Sequence, residues 1–424
     1  MATNHGFCKR KRKITPCYFL EMLLLKTHQS SQESLTDHVY ELEQNRDLQV
    51  RKQSLHDKFS SAAVAFMREV ISHQLKSTTA AFEQEASLKT FSKVFIQDAT
   101  KFGLPEKLQK EYPCYGGRAA KAGGQIQFTY ELKNQKVCHL ELYPATRSEA
   151  LSATDNSWIE RGALVLRDLG YFTIKGFREI IDKKAFFISR AKPKTSFYYP
   201  DDDQKKFNIK KLLSKMKSNG IDYCEEDLIM GFTKKNKLPV RVIFSRVPDE
   251  VKASRLRKAS KNAKERNWQV TKDYKIWAGI NVYITNIPSD QMATKDIALS
   301  YRLRWQVELI FKTWKSHYRI HTHKAVKKER IECYLYASLL LILLQTYLFS
   351  WLYGLSSKQG TWLSIHKFCK LMIHLKGLFS KAILKYKGSF NELLQTLLYH
   401  SKEMLIKEEK KGRVGYGDII SQSL

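Results

Sequence analysis

From Cys333 to Ser357 the chain carries no charged side chain, and Leu339 to Leu344 is unbroken aliphatic. At about 1.5 Å per residue such a helix exceeds the roughly 30 Å hydrocarbon thickness of a bilayer, so lipid or protein must cover it on every side. Covered by lipid, it anchors a basic membrane protein at about 335–355. Covered by protein, it is the central helix of a large core, with Gln345, Thr346 and Ser350 interrupting its apolar surface. The chain has 424 residues, enough for two to four domains of about 100 to 200 residues, so a core of that size is available.

Charge narrows the partners. Lys and Arg number 73 against 42 Asp and Glu, a formal excess of +31, which favours a polyanion, either nucleic acid or an acidic membrane face. Hydrophobic residues at 43% with only 19 glycines and 9 prolines exclude collagen-like, low-complexity and wholly disordered chains. The seven cysteines are scattered with no CxxC pair, so neither a disulfide framework nor a zinc module is indicated and a reducing cytosol fits. Lys9 to Lys13 reads as a basic arm, since no apolar signal-peptide core follows at once.

The first 90 residues have helical periodicity, with apolar positions three and four apart through Phe19, Met22 and Leu23, Val39 and Leu42, and Phe59, Ala63, Phe66 and Val70. Ser34 is placed to cap the second run. Helices at about 34–44 and 51–60 flank the turn Asn45-Arg46-Asp47, and the second carries Arg51, Lys52, His56 and Lys58. This is either a helix-turn-helix with a DNA-reading face or a helical bundle with a solvated basic side.

At Ser92 the pattern becomes extended. Val94 to Ile96 predicts a short buried strand ending at Asp98; Gln125 to Leu132 and Val137 to Tyr143 predict a hairpin; Leu164 to Leu166 predicts a strand ending at Asp168. Helix-like Ile174 to Asp182 and a strand at Ala185 to Ser189 complete a mixed α/β sheet. Residues 191–290 read as a β-rich basic insertion, in which Val251 to Arg266 forms a helix with Arg255 and Lys258 on a positive face. A long helix is expected from about Thr294 to His317, followed by apolar helices and a basic tail at Lys402 to Arg413.

The long helix carries the chemistry. Offsets of 3, 7 and 14 residues at about 100° per residue bring Tyr301, Arg304, Glu308 and Lys315 onto one arc roughly 60° wide. A carboxylate between two cations and a phenol, with Asp98 and Asp168 at strand ends, suits two-metal phosphoryl transfer. A solvent-exposed face laced by i,i+4 ion pairs is the structural alternative.

Tyr-x2-Arg-x3-Glu-x6-Lys, complete here as Tyr301, Arg304, Glu308 and Lys315, resembles the signature of the insertion-sequence-4 family of DDE transposases. Asp98-Ala99-Thr100 and Asp168-Leu169-Gly170-Tyr171 are similar to that family's first and second aspartate motifs, so the resemblance covers about 92–355. It implies an RNase H-like core in two parts, 91–190 and 291–355, around the 191–290 insertion. A helical DNA-binding region at 1–90 precedes them and a helical region at 356–424 follows. It further implies Asp98, Asp168 and Glu308 as catalytic metal ligands for two Mg²⁺, with Mn²⁺ as substitute. Tyr301, Arg304 and Lys315 would contact DNA, joined by Arg51, Lys52, His56, Lys58, Arg255 and Lys258. The implied partners are double-stranded DNA, as transposon ends and target, and a second copy of the chain in a synaptic homodimer. The implied reaction is cut-and-paste movement in a bacterial cytoplasm at the nucleoid, without ATP and without a membrane. Some members hold a flipped base with an inserted tryptophan; Trp268 and Trp277 are the candidates, each equally readable as a core aromatic.

Other clusters carry less. Asp201-Asp202-Asp203 reads as a solvated loop, and His317, His321 and His323 sit among cations that repel a metal. No Walker-type loop is present. Besides the active transposase, an inactive DNA-binding descendant and the membrane-anchored protein are the competing functions.

Overall fold

The computed structural model describes residues 2–8, 13–25, 34–77, 90–116, 120–153, 156–193, 195–202, 205–231, 236–267, 269–322 and 327–408. Nine strands occur among them: β1 Val94–Leu104, β2 Ala122–Glu131, β3 Lys136–Pro144, β4 Leu164–Arg167, β5 Phe186–Arg190, β6 Phe197–Tyr198, β7 Tyr223–Gly231, β8 Lys237–Arg246 and β9 Ile280–Thr285. The chain divides into two compact units. A helical unit comprises Met1–Gln84, Ala99–Arg147 and Gln306–Glu409, and a sheet unit comprises Glu85–Asp98, Ser148–Trp305 and Lys410–Leu424.

In the sheet unit the strand order is β1-β4-β5-β9-β8-β7-β6. β1, β4 and β5 are parallel, and the remaining neighbours pair antiparallel. β4 is buried along its whole length, as expected of an apolar run covered on both faces. The crossover from β4 to β5 is helix Ile174–Asp182, which the Thr173 side chain caps and which buries Phe177 and Ile180. Residues 191–290 supply β6 to β9, and β9 pairs with β5, so this segment extends the same sheet.

In the helical unit β2 and β3 form the expected hairpin, with Gln135 in the left-handed region at φ 55° and the Glu131 carboxylate accepting from the turn amides of Lys133 and Asn134. The core is helix Lys328–Ser357. It is long and apolar enough to cross a membrane, but 72% of its most apolar window is buried in the folded chain. The cover is protein. Helix Ser61–Ser77 sends Arg68 to the Tyr336 hydroxyl (3.1 Å) and accepts from Tyr347 at the Gln74 carbonyl (3.1 Å); His38 is hydrogen-bonded to Tyr334, and Phe349 meets Phe368.

The N-terminal helices run Leu35–Arg46 and Lys52–Lys58. The first opens with a capping box between Ser34 and Asp37, and the second buries Leu55. Asp47, left-handed at φ 49°, turns the chain between them.

Two sequence expectations need correction. β1 continues past Asp98 to Leu104, because Thr100, Phe102 and Leu104 alternate inward against Lys101 and Gly103 and keep one face of the strand buried. The helix expected from Thr294 to His317 is interrupted: helix Thr294–Tyr301 passes through a 3-10 turn at Arg302–Arg304 before helix Trp305–His317 begins. A 3-10 turn advances about 120° per residue, so a single α-helical wheel does not describe the arc from Tyr301 to Lys315.

Candidate active site

The parallel register of β1 and β4 ends at Gln97↔Arg167, so the next residues on the two neighbouring strands, Asp98 and Asp168, follow at the same level. β4 stops there, and Asp168 opens the 3-10 turn Leu169–Tyr171. One cation serves both carboxylates. Arg304 Nη1 donates to Asp98 Oδ2 at 2.9 Å, and Arg304 Nε lies 3.9 Å from Asp168 Oδ1. The side chains of Arg304 and Asp98 are 11% and 13% exposed while that of Asp168 is 40% exposed, so the pair is shielded at one end and open to solvent at the other.

Tyr301 completes this group. Its hydroxyl donates toward the Arg167 carbonyl (3.3 Å) and Asp168 Oδ1 (3.5 Å), and its ring packs on Tyr283. Burial pushes the phenol well above its ordinary range, Arg304 opposes that shift and Asp168 adds to it, so Tyr301 stays a neutral donor. Beneath the aspartates Arg167 is fully buried, hydrogen-bonded to Asn156 and the Gly176 carbonyl, and burial lowers it to about 10. Gly170 has a role that spacing did not reveal: a Cβ at this position would overlap the Glu149 carboxylate. Burial, then Asp98 and Glu149, hold the neighbouring Tyr171 phenol high.

In the helical unit Glu308 and Lys315 line an open pocket of about 540 Å³ with Thr100, Phe311, Lys312, Ser316 and His321. Phe311 and Trp314 set the rotation of their helix by packing edge-on against Phe128 of β2. Burial lowers the Lys315 ammonium from its ordinary value. Sequence reasoning missed Lys312 and Ser316, although Lys312 follows Glu308 by one helical turn; Thr100 enters it only as part of the Asp98 motif, and His321 only as a histidine unsuited to a metal. Among the described residues no three His, Cys, Asp or Glu side chains gather closely enough to hold a metal ion.

The other named residues are dispersed. Arg51 and Lys52 are exposed, His56 is half-buried, and Lys58 lies over the Phe7 ring at 4.9 Å. Lys258 is exposed, whereas Arg255 is bonded to the Ala278 carbonyl (3.3 Å) and Asn281 Oδ1 (2.8 Å). Trp277 is half-buried, and Trp268 lies outside the described residues, as do Lys9 to Arg12, Asp203, His323 and residues 409–424. His317 pairs with His366, ring centroids 5.2 Å apart; Asp201 and Asp202 are exposed.

Over residues 89–344 the sequence matches the family described as "Transposase DDE domain". The chain belongs to the DDE transposase family. Among relatives of this transposase, that for insertion sequence element IS231F of Bacillus thuringiensis subsp. israelensis is 29% identical over 359 residues, covering 81% of this chain and 75% of the relative. The transposase for IS1151 of Clostridium perfringens is 28% identical over 360 residues, covering 82% and 76%. A cryo-EM structure of a piggyBac transposase synaptic complex with hairpin DNA aligns with 97% of this chain and 82% of its own at 12% identity and a TM-score of 0.47.

Proposed function

We propose that this DDE transposase moves an insertion sequence of the insertion-sequence-4 type, cutting DNA at the element's ends and joining those ends to a target. The observation that carries the reading is the register that sets Asp98 beside Asp168, with both carboxylates turned to Arg304. Two such hard oxygen donors sharing one cation are the donor chemistry a divalent ion takes, so the residues fit the Mg²⁺ that the family implies. Asp98 and Asp168 would hold the ion, Mg²⁺ or Mn²⁺, and the resemblance to the family adds Glu308 as the remaining carboxylate ligand. When bound, the metal supplies Lewis-acid activation of the attacking oxygen and charge neutralisation at the leaving one. The enclosing fold is read as an RNase H-like core.

The chain's own groups divide the remaining work. Arg304 is a planar fork that grips carboxylate or phosphate with equal geometry, so a DNA phosphate competes with Asp98 for it. Tyr301 donates to Asp168 and limits its movement. Lys315 and Lys312 bring positive charge to the Glu308 pocket and orient a phosphate there. Arg51, Lys52, His56 and Lys58 form the surface proposed to read element ends, and Lys258 tracks backbone. Cleavage and joining take place in a homodimer that pairs two ends, at the nucleoid of a bacterial cell.

The test is cleavage of a duplex carrying the element's end by the full chain. Divalent metal should be required, and Asp98→Asn, Asp168→Asn and Glu308→Gln should each abolish cutting while end binding persists, because affinity rests on phosphate electrostatics. Metal-independent cutting, or full activity in any one of the three, would overturn the assignment of that group.

A further inference from the structure

The sheet unit has a second strongly basic surface. Lys205, Lys206, Lys210, Lys211, Lys215 and Lys217 are all exposed. The last four lie on helix Ile209–Ser218, whose Met216 is buried while Ile209, Leu212 and Leu213 are half-buried. At about 100° per residue the four lysines fan over roughly 160° of the helix, directly opposite that apolar stripe. Ser214 and Ser218 fall between them with hydroxyls turned back to the Lys210 and Lys215 carbonyls, which keeps the face low and open. None of the six lysines has an ion-pair partner among the described residues. Of the acids close in sequence, Asp201, Asp202, Glu226 and Asp227 are exposed, Asp222 pairs with Arg246 (2.7 Å), and Glu225 of β7 is committed to Arg241 and Thr294, so six lysines face a smaller number of uncommitted carboxylates.

The chemistry of this face is selective in what it lacks. Base edges are read with most selectivity by the planar, forked groups of Arg, Asn or Gln, whereas the charges here are all freely rotating ammonium groups; the Asn208 side chain is taken up in capping the helix at the Lys211 amide (3.0 Å), and Asn219 Oδ1 accepts from the Ser218 hydroxyl (3.2 Å). Such a surface attracts duplex phosphates without choosing a sequence. Of the two duplexes a joining reaction handles, the element end has to be recognised and the target varies.

Resting on the transposase reading above, we propose that the lysine face at 205–217 holds target DNA by its phosphates. The experiment compares the full chain with a variant carrying Lys210→Gln, Lys211→Gln, Lys215→Gln and Lys217→Gln, and with the corresponding four Lys→Arg changes. End cleavage, joining of precut ends to a plasmid and binding of random-sequence duplex are measured for each. In the Gln variant the ratio of joining to cleavage should fall at least tenfold. Random-duplex binding should lose salt dependence by roughly 0.9 in log–log slope per contact removed. The Arg variant should keep both. A parent-like ratio overturns the proposal, and so does an equal loss of cleavage and joining, which would assign the lysines to the element end. If the fourfold variant fails to fold, Lys205→Gln with Lys206→Gln reads the same ratio outside the helix. A parent chain that binds duplex through this face but neither cuts nor joins sinks the transposase reading and leaves the duplex-binding surface standing.

Discussion

Arg304 donates to Asp98 at 2.9 Å, and both side chains are nearly closed off from water. Two sequence positions 206 residues apart are thus joined by one charge-assisted hydrogen bond.

Removing one partner strands the other. Arg304→Ala should destabilise the protein by about 1–3 kcal/mol, the cost of an uncompensated, partly buried carboxylate, and should depress cleavage as well. Arg304→Lys should recover part of the stability and little of the activity, since an ammonium cannot reach Asp98 and stand beside Asp168 as the fork does. Thermal melts and cleavage rates of the two variants check this; equal recovery of both quantities by Lys would refute it.

Gly170 and Glu149 should be coupled. Gly170→Ala forces the Glu149 carboxylate to move and should destabilise the turn after Asp168, whereas Glu149→Ala in the same chain makes room and should restore most of the loss. A double-mutant cycle with a coupling energy above about 0.5 kcal/mol is the expected result, and additivity would exclude the contact.

Lys407 should give stability an unusual pH dependence. Its ammonium donates to Gln306 Oε1 at 3.0 Å, and burial lowers it from 10.5 to about 7. Between those values the unfolded chain holds a proton that the folded chain has released, so stability from this group rises with pH across about 7 to 10.5, and below about 7 the penalty is present in full. Lys407→Met should therefore raise the melting temperature relative to the parent most at pH 6 and progressively less toward pH 10. A difference that does not change with pH would show that Lys407 is not the titrating group.

Lys315 should mark the alkaline limit of cleavage. Because burial favours its neutral form, activity that needs its charge should fall below the ordinary lysine range as pH rises. Lys315→Arg should move that limb upward, and a limb at the same pH in both proteins would assign it to another group.

What the sequence disclosed follows the range of the interactions involved. The Asp168 turn, the β2–β3 hairpin and helix Ile174–Asp182 are set by local alternation, periodicity and turn chemistry, and they stand where the pattern puts them. At Asp98 a charge interrupts an apolar run and predicts a strand end, yet the strand runs on, since only every second side chain of β1 beyond it faces inward. The break at Arg302–Arg304 left no sign, because Arg-Leu-Arg favours an α-helix as readily as a 3-10 turn. His321 and Glu149 take their places through contacts between distant segments, which spacing along one helix or strand does not encode.

The burial of helix Lys328–Ser357 also sets an order on synthesis. The helices that cover it at Pro16–Leu25 and Ser61–Ser77 leave the ribosome first. At about 5 to 20 residues per second they wait roughly 13 to 60 s with their apolar faces uncovered before their partner begins to be made. A chain ending before Lys328 would leave the apolar faces of those two helices without the cover that this helix supplies.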